Sequence, residues 1–194
     1  MNKQKILKTL LIASLTIMVA SVTIFVVQKC TQLKPQKSFP DYSHLILRQV
    51  AKLEQQTRGL IIDNQWAYWG NDSLKLVNLQ QLATEERIYF YFSQNVCPPC
   101  VMSAIELIEK YIPDYEQNET LVFISPDWPH RLRNDCYGKR LLMLQQERLG
   151  ISLEDENVPF FFRLNAQMEL TSVHIVAKVD FKRTEVFLKK YVYN

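Results

Sequence analysis

The sequence predicts an α/β fold, a β-sheet with helices packed on both faces, standing behind an apolar N-terminal segment. Three observations carry this reading. Strand-like and helix-like patterns alternate along most of the chain. Cys97-Pro98-Pro99-Cys100 falls between an apolar run, Ile88-Tyr89-Phe90-Tyr91-Phe92, and a helix-patterned stretch from Val101 to Tyr111. A proline, Pro159, directly precedes the strongly β-prone Phe160-Phe161-Phe162.

From Ile6 to Val27 the only charge is Lys8, and the run is long enough as a helix to cross a bilayer core of about 30 Å. It continues past the length of a cleavable leader core and ends in Gln28-Lys29-Cys30, so a retained single-pass signal anchor is expected. Lysines flank it evenly, Lys3, Lys5 and Lys8 before and Lys29, Lys34 and Lys37 after, and the charge rule therefore does not set its orientation. The short basic N-terminus looks like a signal anchor and is expected to put residues 30–194 outside the cytoplasm, in a periplasm-like or lumenal space. The expected organisation is a cytoplasmic stub and anchor over 1–29, a linker over 30–43 containing Pro35 and Pro40, and one domain over 44–194.

Within the domain, Leu45, Ile46, Val50 and Leu53 mark a short helix from His44, and Gly59 opens a short strand at Leu60-Ile61-Ile62. Trp66 to Leu82 reads as a strand, a turn at Gly70-Asn71-Asp72 and a helical turn. After the motif helix, Thr120 to Ser125 is a second buried strand, broken by Pro126 and Pro129. Tyr137 to Leu149, with Leu141, Leu142, Met143 and Leu144 among charges and Gly150 at its end, predicts a second helix. Val158-Pro159-Phe160 starts another strand, Val173 to Val179 a further one, and Arg183 to Tyr191 a closing helix.

The 194 residues carry 23 Lys and Arg against 20 Asp and Glu, a net charge of +3 scattered along the chain, which does not support a nucleic-acid-binding reading. Two thiols at a strand-to-helix turn point to redox chemistry. With Cys97 as N-cap and the prolines in the first two helical positions, the Cys97 sulfur faces the positive helix end and the Cys100 amide. A lowered Cys97 pKa follows, and Cys100, one turn inward, is the candidate resolving thiol. Structural zinc requires about four Cys or His ligands, whereas Cys30, Cys136, His44, His130 and His174 form no second pair. Haem attachment requires His after the second cysteine, where Val101 stands. A structural disulfide within so small a loop contributes little chain-entropy stabilisation. No metal or prosthetic group is expected at the site.

Together YFYFS before CPPC, LVFIS, VPFFF and the terminal strand and helix resemble the thioredoxin superfamily over roughly residues 60–192. With the anchor and the upstream LVNLQQL segment, the chain looks most like the membrane-tethered TlpA and ResA branch of envelope thiol-disulfide oxidoreductases. The resemblance implies a thioredoxin-like fold, a central mixed sheet flanked by helices. It implies a cis Val158-Pro159 bond against the cysteines, with Val158, Pro159, Pro98 and Pro99 meeting an extended protein substrate. It also implies thiol or disulfide protein partners and an electron-donating or electron-accepting membrane partner. That branch has Trp before the motif and an acidic residue three positions after it, where this chain has Val96 and Ser103; Glu106 is the candidate proton acceptor for Cys100. Val before the proline is reminiscent of DsbA-like oxidases, so the direction of exchange is open. A noncatalytic module such as a copper metallochaperone is the alternative, with His174 as distant ligand, although copper chaperones of this fold space their cysteines by three residues. Cys136 is either a third redox thiol or an ordinary cysteine at a helix start.

Overall fold

The computed structural model describes residues 21, 42–70, 75–126, 137–146 and 148–192. Apart from residues 21, 42 and 43, the expected anchor and linker lie outside them, as do Cys30, His130 and Cys136. Among the described residues no helix is long and apolar enough to cross a membrane.

In order, the elements are α1 (Ser43–Thr57), β1 (Trp66–Trp69), β2 (Leu76–Asn78), α2 (Leu79–Leu82), β3 (Ile88–Tyr91), α3 (Pro98–Tyr111), β4 (Leu121–Pro126), β5 (Leu141–Leu144), a 3₁₀ turn (Ser152–Glu156), β6 (Phe160–Leu164), β7 (Leu170–Ile175) and α4 (Phe181–Val192). The described strands form one sheet in the order β2-β1-β5-β4-β3-β6-β7. β3, β4 and β5 run parallel; β6 is antiparallel to both β3 and β7. The unit β3-α3-β4, completed by β6-β7-α4 in the spatial order β4-β3-β6-β7, is a thioredoxin-like arrangement.

All four residues of β3 are buried, and period-2 alternation divides them between two cores. Tyr89 and Tyr91 face a core shared with Val50 of α1, whereas Phe90, followed by Phe92, faces the core under α3 and α4. α3 supplies Val101, Ala104, Ile105 and Ile108 as one apolar stripe. The β3–β6 register is aromatic at each position. Tyr89 opposes Phe162, Phe90 opposes Phe161 and Tyr91 opposes Phe160, with ring centroids 5.0, 4.7 and 4.7 Å apart and each pair stacked. Such pairs contribute about 0.5–1.5 kcal/mol each beyond area burial.

Two sequence expectations are corrected. The segment expected as a helix over Tyr137 to Leu149 contains strand β5, buried at all four residues. It lies between β4 and β1 and contributes Leu142 and Leu144 to one core and Leu141 and Met143 to the other. A strand buried on both faces is continuously apolar and has no alternation to separate it from a helix. The strand expected at Leu60-Ile61-Ile62 is only an isolated bridge between Ile61 and Glu169.

The approach to β6 is held by Glu154, whose side chain is 4% exposed. Its carboxylate accepts hydrogen bonds from the Leu149, Gly150 and Ile151 amides at 2.9, 3.0 and 3.2 Å and from the Tyr91 hydroxyl at 2.7 Å. One side chain thus fastens the turn before Pro159 to the strand before the cysteines. Glu154→Gln turns an amide donor toward backbone donors and is expected to cost about 2–3 kcal/mol in urea unfolding. Tyr91→Phe, which removes one bond, is expected to cost about 1 kcal/mol.

Candidate functional site

Antiparallel register fixes what meets the cysteines. Because Tyr91 ends β3 opposite Phe160, which starts β6, the motif that follows β3 and the Val158-Pro159 step that precedes β6 lie at the same sheet end. β7 ends there too, since Phe160 pairs with Ile175 and the Val176 amide donates to the Pro159 carbonyl at 3.0 Å. Three segments, 97–100, 158–159 and 176–180, therefore gather at the carboxyl end of β3, where ligands sit in open α/β sheets.

Cys97 is the N-cap of α3, with prolines in the first helical positions. Pro98 lacks an N–H that the first helical turn would have left unbonded. The Cys100 amide donates to the Cys97 carbonyl at 2.9 Å. Both cysteines are free thiols; Cys97 is half-buried and Cys100 buried. Pro98 and Pro99 are exposed, Val158 is half-buried and Pro159 is buried.

The two thiols are electrostatically unequal. Cys97 is drawn below its ordinary pKa by the hydrogen bond from the Cys100 thiol first, then by the Lys178 ammonium and the Cys100 amide. Cys100 is pushed up by burial first, then by the hydrogen bond to Cys97 and the Cys97 charge, while Lys178 opposes the rise. This arrangement favours ionisation of the more accessible Cys97 over the buried Cys100, the division that thiol-disulfide exchange uses.

Lys178 is the residue that sequence reasoning missed. It is exposed in a turn closed by the Asp180 amide donating to the Ala177 carbonyl at 3.1 Å, and its ammonium interacts with both sulfurs. A lone lysine between a strand and a helix has no motif; the available signal was its position directly after the strand that pairs with β6.

The remaining candidates are placed elsewhere or differently. Glu106 is exposed on α3, about 9 Å along the helix axis from Cys100, and does not contribute to the Cys100 shift. The Val158-Pro159 bond is trans, as no described peptide bond is cis, which corrects the expectation carried by the resemblance. Trans is the lower-energy form of an X-Pro bond by roughly 0.5–1 kcal/mol, and the preceding Asn157, which caps the 3₁₀ turn, is left-handed at φ 52° and ψ 37°.

His174 is buried in β7 and bonded to the Thr184 hydroxyl at 3.0 Å, with Phe187 stacked on it at 4.7 Å. Glu54 lies 3.5 Å from its Nδ1, but that carboxylate is engaged by Arg183 at 2.6 Å and by the Ile175 amide at 2.8 Å. Among the described residues no three His, Cys, Asp or Glu side chains gather as a metal site.

The fold and site together define a class: a thioredoxin-like fold presenting an unequal thiol pair at the carboxyl end of its central strands. No protein-family model matches the chain, and no curated protein matches it. Among solved structures, it is similar to a secreted thiol-disulfide isomerase from Corynebacterium glutamicum at 14% identity and TM-score 0.42, covering 69% of this chain and 86% of that one. It is similar to a thiol:disulfide interchange protein from Bacteroides sp. at 12% identity and TM-score 0.40, covering 71% and 91%. It is also similar to Arabidopsis thaliana ScoI with copper bound, at 10% identity and TM-score 0.43, covering 69% and 99%.

Two outcomes are expected. Iodoacetamide titration of the reduced chain modifies Cys97 first, with a midpoint below that of an unperturbed thiol near 8.5, and Cys100 reacts fully only on unfolding. Burial chiefly, and Arg183 next, pull His174 from 6.5 to about 3. The unfolded chain therefore binds a proton that the folded chain refuses between those values, and stability falls as pH drops through that window. Urea midpoints from pH 7 to pH 3 should fall more steeply for the parent than for His174→Gln, which keeps a polar group and does not titrate.

Proposed function

We propose that this protein is a membrane-anchored, extracytoplasmic thiol-disulfide oxidoreductase acting on protein thiols and disulfides. The observation that supports it is the unequal pair itself, an accessible Cys97 with a lowered pKa beside a buried Cys100 with a raised one. The Cys97 thiolate attacks a partner disulfide, forms a mixed disulfide and releases one partner sulfur as thiolate. Cys100 then loses its proton and attacks Cys97, closing the Cys97–Cys100 disulfide and releasing the second partner sulfur. Two electrons pass from the pair to the partner; the reverse sequence oxidises a dithiol.

Residues 6–27 are the proposed anchor, 30–43 the linker and 44–194 the domain, held on the outer side of the membrane, where a second membrane partner resets the thiols. Pro98, Pro99, Val158 and Pro159 border the sulfurs as the substrate-binding surface, and an extended partner backbone beside Val158 would supply main-chain recognition. Glu106 would have to act through solvent to accept the Cys100 proton. The noncatalytic alternative has the same two sulfurs holding a thiophilic ion such as Cu(I), for which paired thiolates are suitable soft donors. His174, tied to Thr184 and stacked on Phe187, is not available as its third ligand in this arrangement.

With the full-length chain in mild detergent, Cys100→Ser is expected to accumulate a mixed disulfide on Cys97 when offered oxidised glutathione or a disulfide-bonded peptide, read by intact mass. Cys97→Ser is expected to form none. Stoichiometric Cu(I) binding by the parent chain, without any disulfide exchange, would replace the enzyme with the binding module.

A further inference from the structure

Lys178 carries more than an electrostatic effect on one thiol. Its turn is fixed at both ends: Val176 is bonded to the Pro159 carbonyl, and Asp180 accepts from the Lys182 amide at 3.1 Å at the start of α4. The backbone on either side of Lys178 is therefore held on the β7 side of the site. Beside it, Val179 is 39% exposed, so the rim offers apolar contact and one cation together. The groups that hold the Lys178 proton are the two sulfurs; no carboxylate among the described residues contributes.

That pairing lasts only as long as the thiolate. Once Cys97 enters a mixed disulfide its charge has left with the partner's departing sulfur, and Lys178 faces the bound partner without a counter-ion among the described residues. We propose that Lys178 is a specificity-determining residue that pairs with a carboxylate beside the partner cysteine under attack, so that the site prefers disulfides flanked by Asp or Glu. This rests on the oxidoreductase reading and names the substrate class for it. The chemistry is unchanged: the Cys97–partner S–S bond forms as the partner's S–S bond breaks, with the electron pair leaving on the departing sulfur. Lys178 exchanges no proton or electron and acts on the affinity for the encounter.

The test compares two disulfide-bonded peptides, identical except for Asp or Lys next to the accessible cysteine, with the full-length chain in mild detergent. Second-order rate constants are taken by quenched alkylation and mass readout. The parent chain is expected to favour the acidic peptide by about fivefold at low salt, the scale of one screened ion pair gained against one repulsion, and to lose most of this at high salt, where the Debye length shrinks to about 3 Å. Lys178→Met should bring the ratio close to one, Lys178→Glu should invert it and Lys178→Arg should keep it. The ratio cancels any change in the Cys97 pKa, which slows both peptides equally, so it reads recognition alone. An acidic-peptide preference that survives in Lys178→Met overturns the assignment, as does a parent ratio of one, while leaving the oxidoreductase reading intact. A parent chain that exchanges with neither peptide overturns the oxidoreductase reading as well.

Discussion

The stacked aromatic register between β3 and β6 is the constraint on which the site depends. Three ring pairs at 4.7–5.0 Å lock Tyr91 opposite Phe160, and a slip of one residue would exchange every side chain between the two cores. The two faces differ in what covers them, α1 on one and α3 with α4 on the other. Register here is therefore specified by packing as well as by backbone bonds. Since CPPC follows one strand and Val158-Pro159 precedes the other, their proximity follows from this pairing and needs no direct bond. Glu154 adds a second fastening, tying the turn before β6 to Tyr91 through its buried carboxylate.

Much of this was legible in the sequence, and the reasons differ by element. β3 and the start of α3 were readable because CPPC imposes a local rule, with proline acceptable at a helix start and disruptive inside one. β4 was readable as a short β-branched and aromatic run bounded by turn residues. β5 was not, because Leu141-Leu142-Met143-Leu144 is apolar at every position and its neighbours β4 and β1 are set by topology. Gly138 at φ 75° contributes to the turn that leads into it, yet a glycine near a run of leucines also suits a helix boundary.

The site divides along the same line. The cysteine asymmetry follows from local geometry, since the N-cap and the residue one turn inward necessarily differ in exposure, and that difference is set within four residues. Lys178 arrives through β6 and β7, two antiparallel pairings away in the sheet, and nothing nearby in sequence marks it. The Val158-Pro159 geometry was carried over from a family rather than argued from neighbours, and the bond is trans.

The charge relation between the two thiols gives the proposed exchange cycle an order. In the reduced pair the Cys100 pKa is raised by burial first and, beyond that, by two influences of Cys97, the hydrogen bond it accepts and its negative charge. Formation of the mixed disulfide removes both influences at once, whereas Lys178, which favours the Cys100 thiolate, stays in place on its fixed turn. Cys100 is thereby eased toward ionisation when its target sulfur has become electrophilic. The same cation also biases equilibrium: by lowering the Cys97 pKa it stabilises the reduced pair wherever the pH exceeds that lowered pKa, which moves the couple toward the oxidising side. Burial of Cys100 does not offset this, because a thiol that is already protonated in the reduced state gains nothing further from a higher pKa. Lys178 therefore shifts the couple in one direction while acting on both sulfurs.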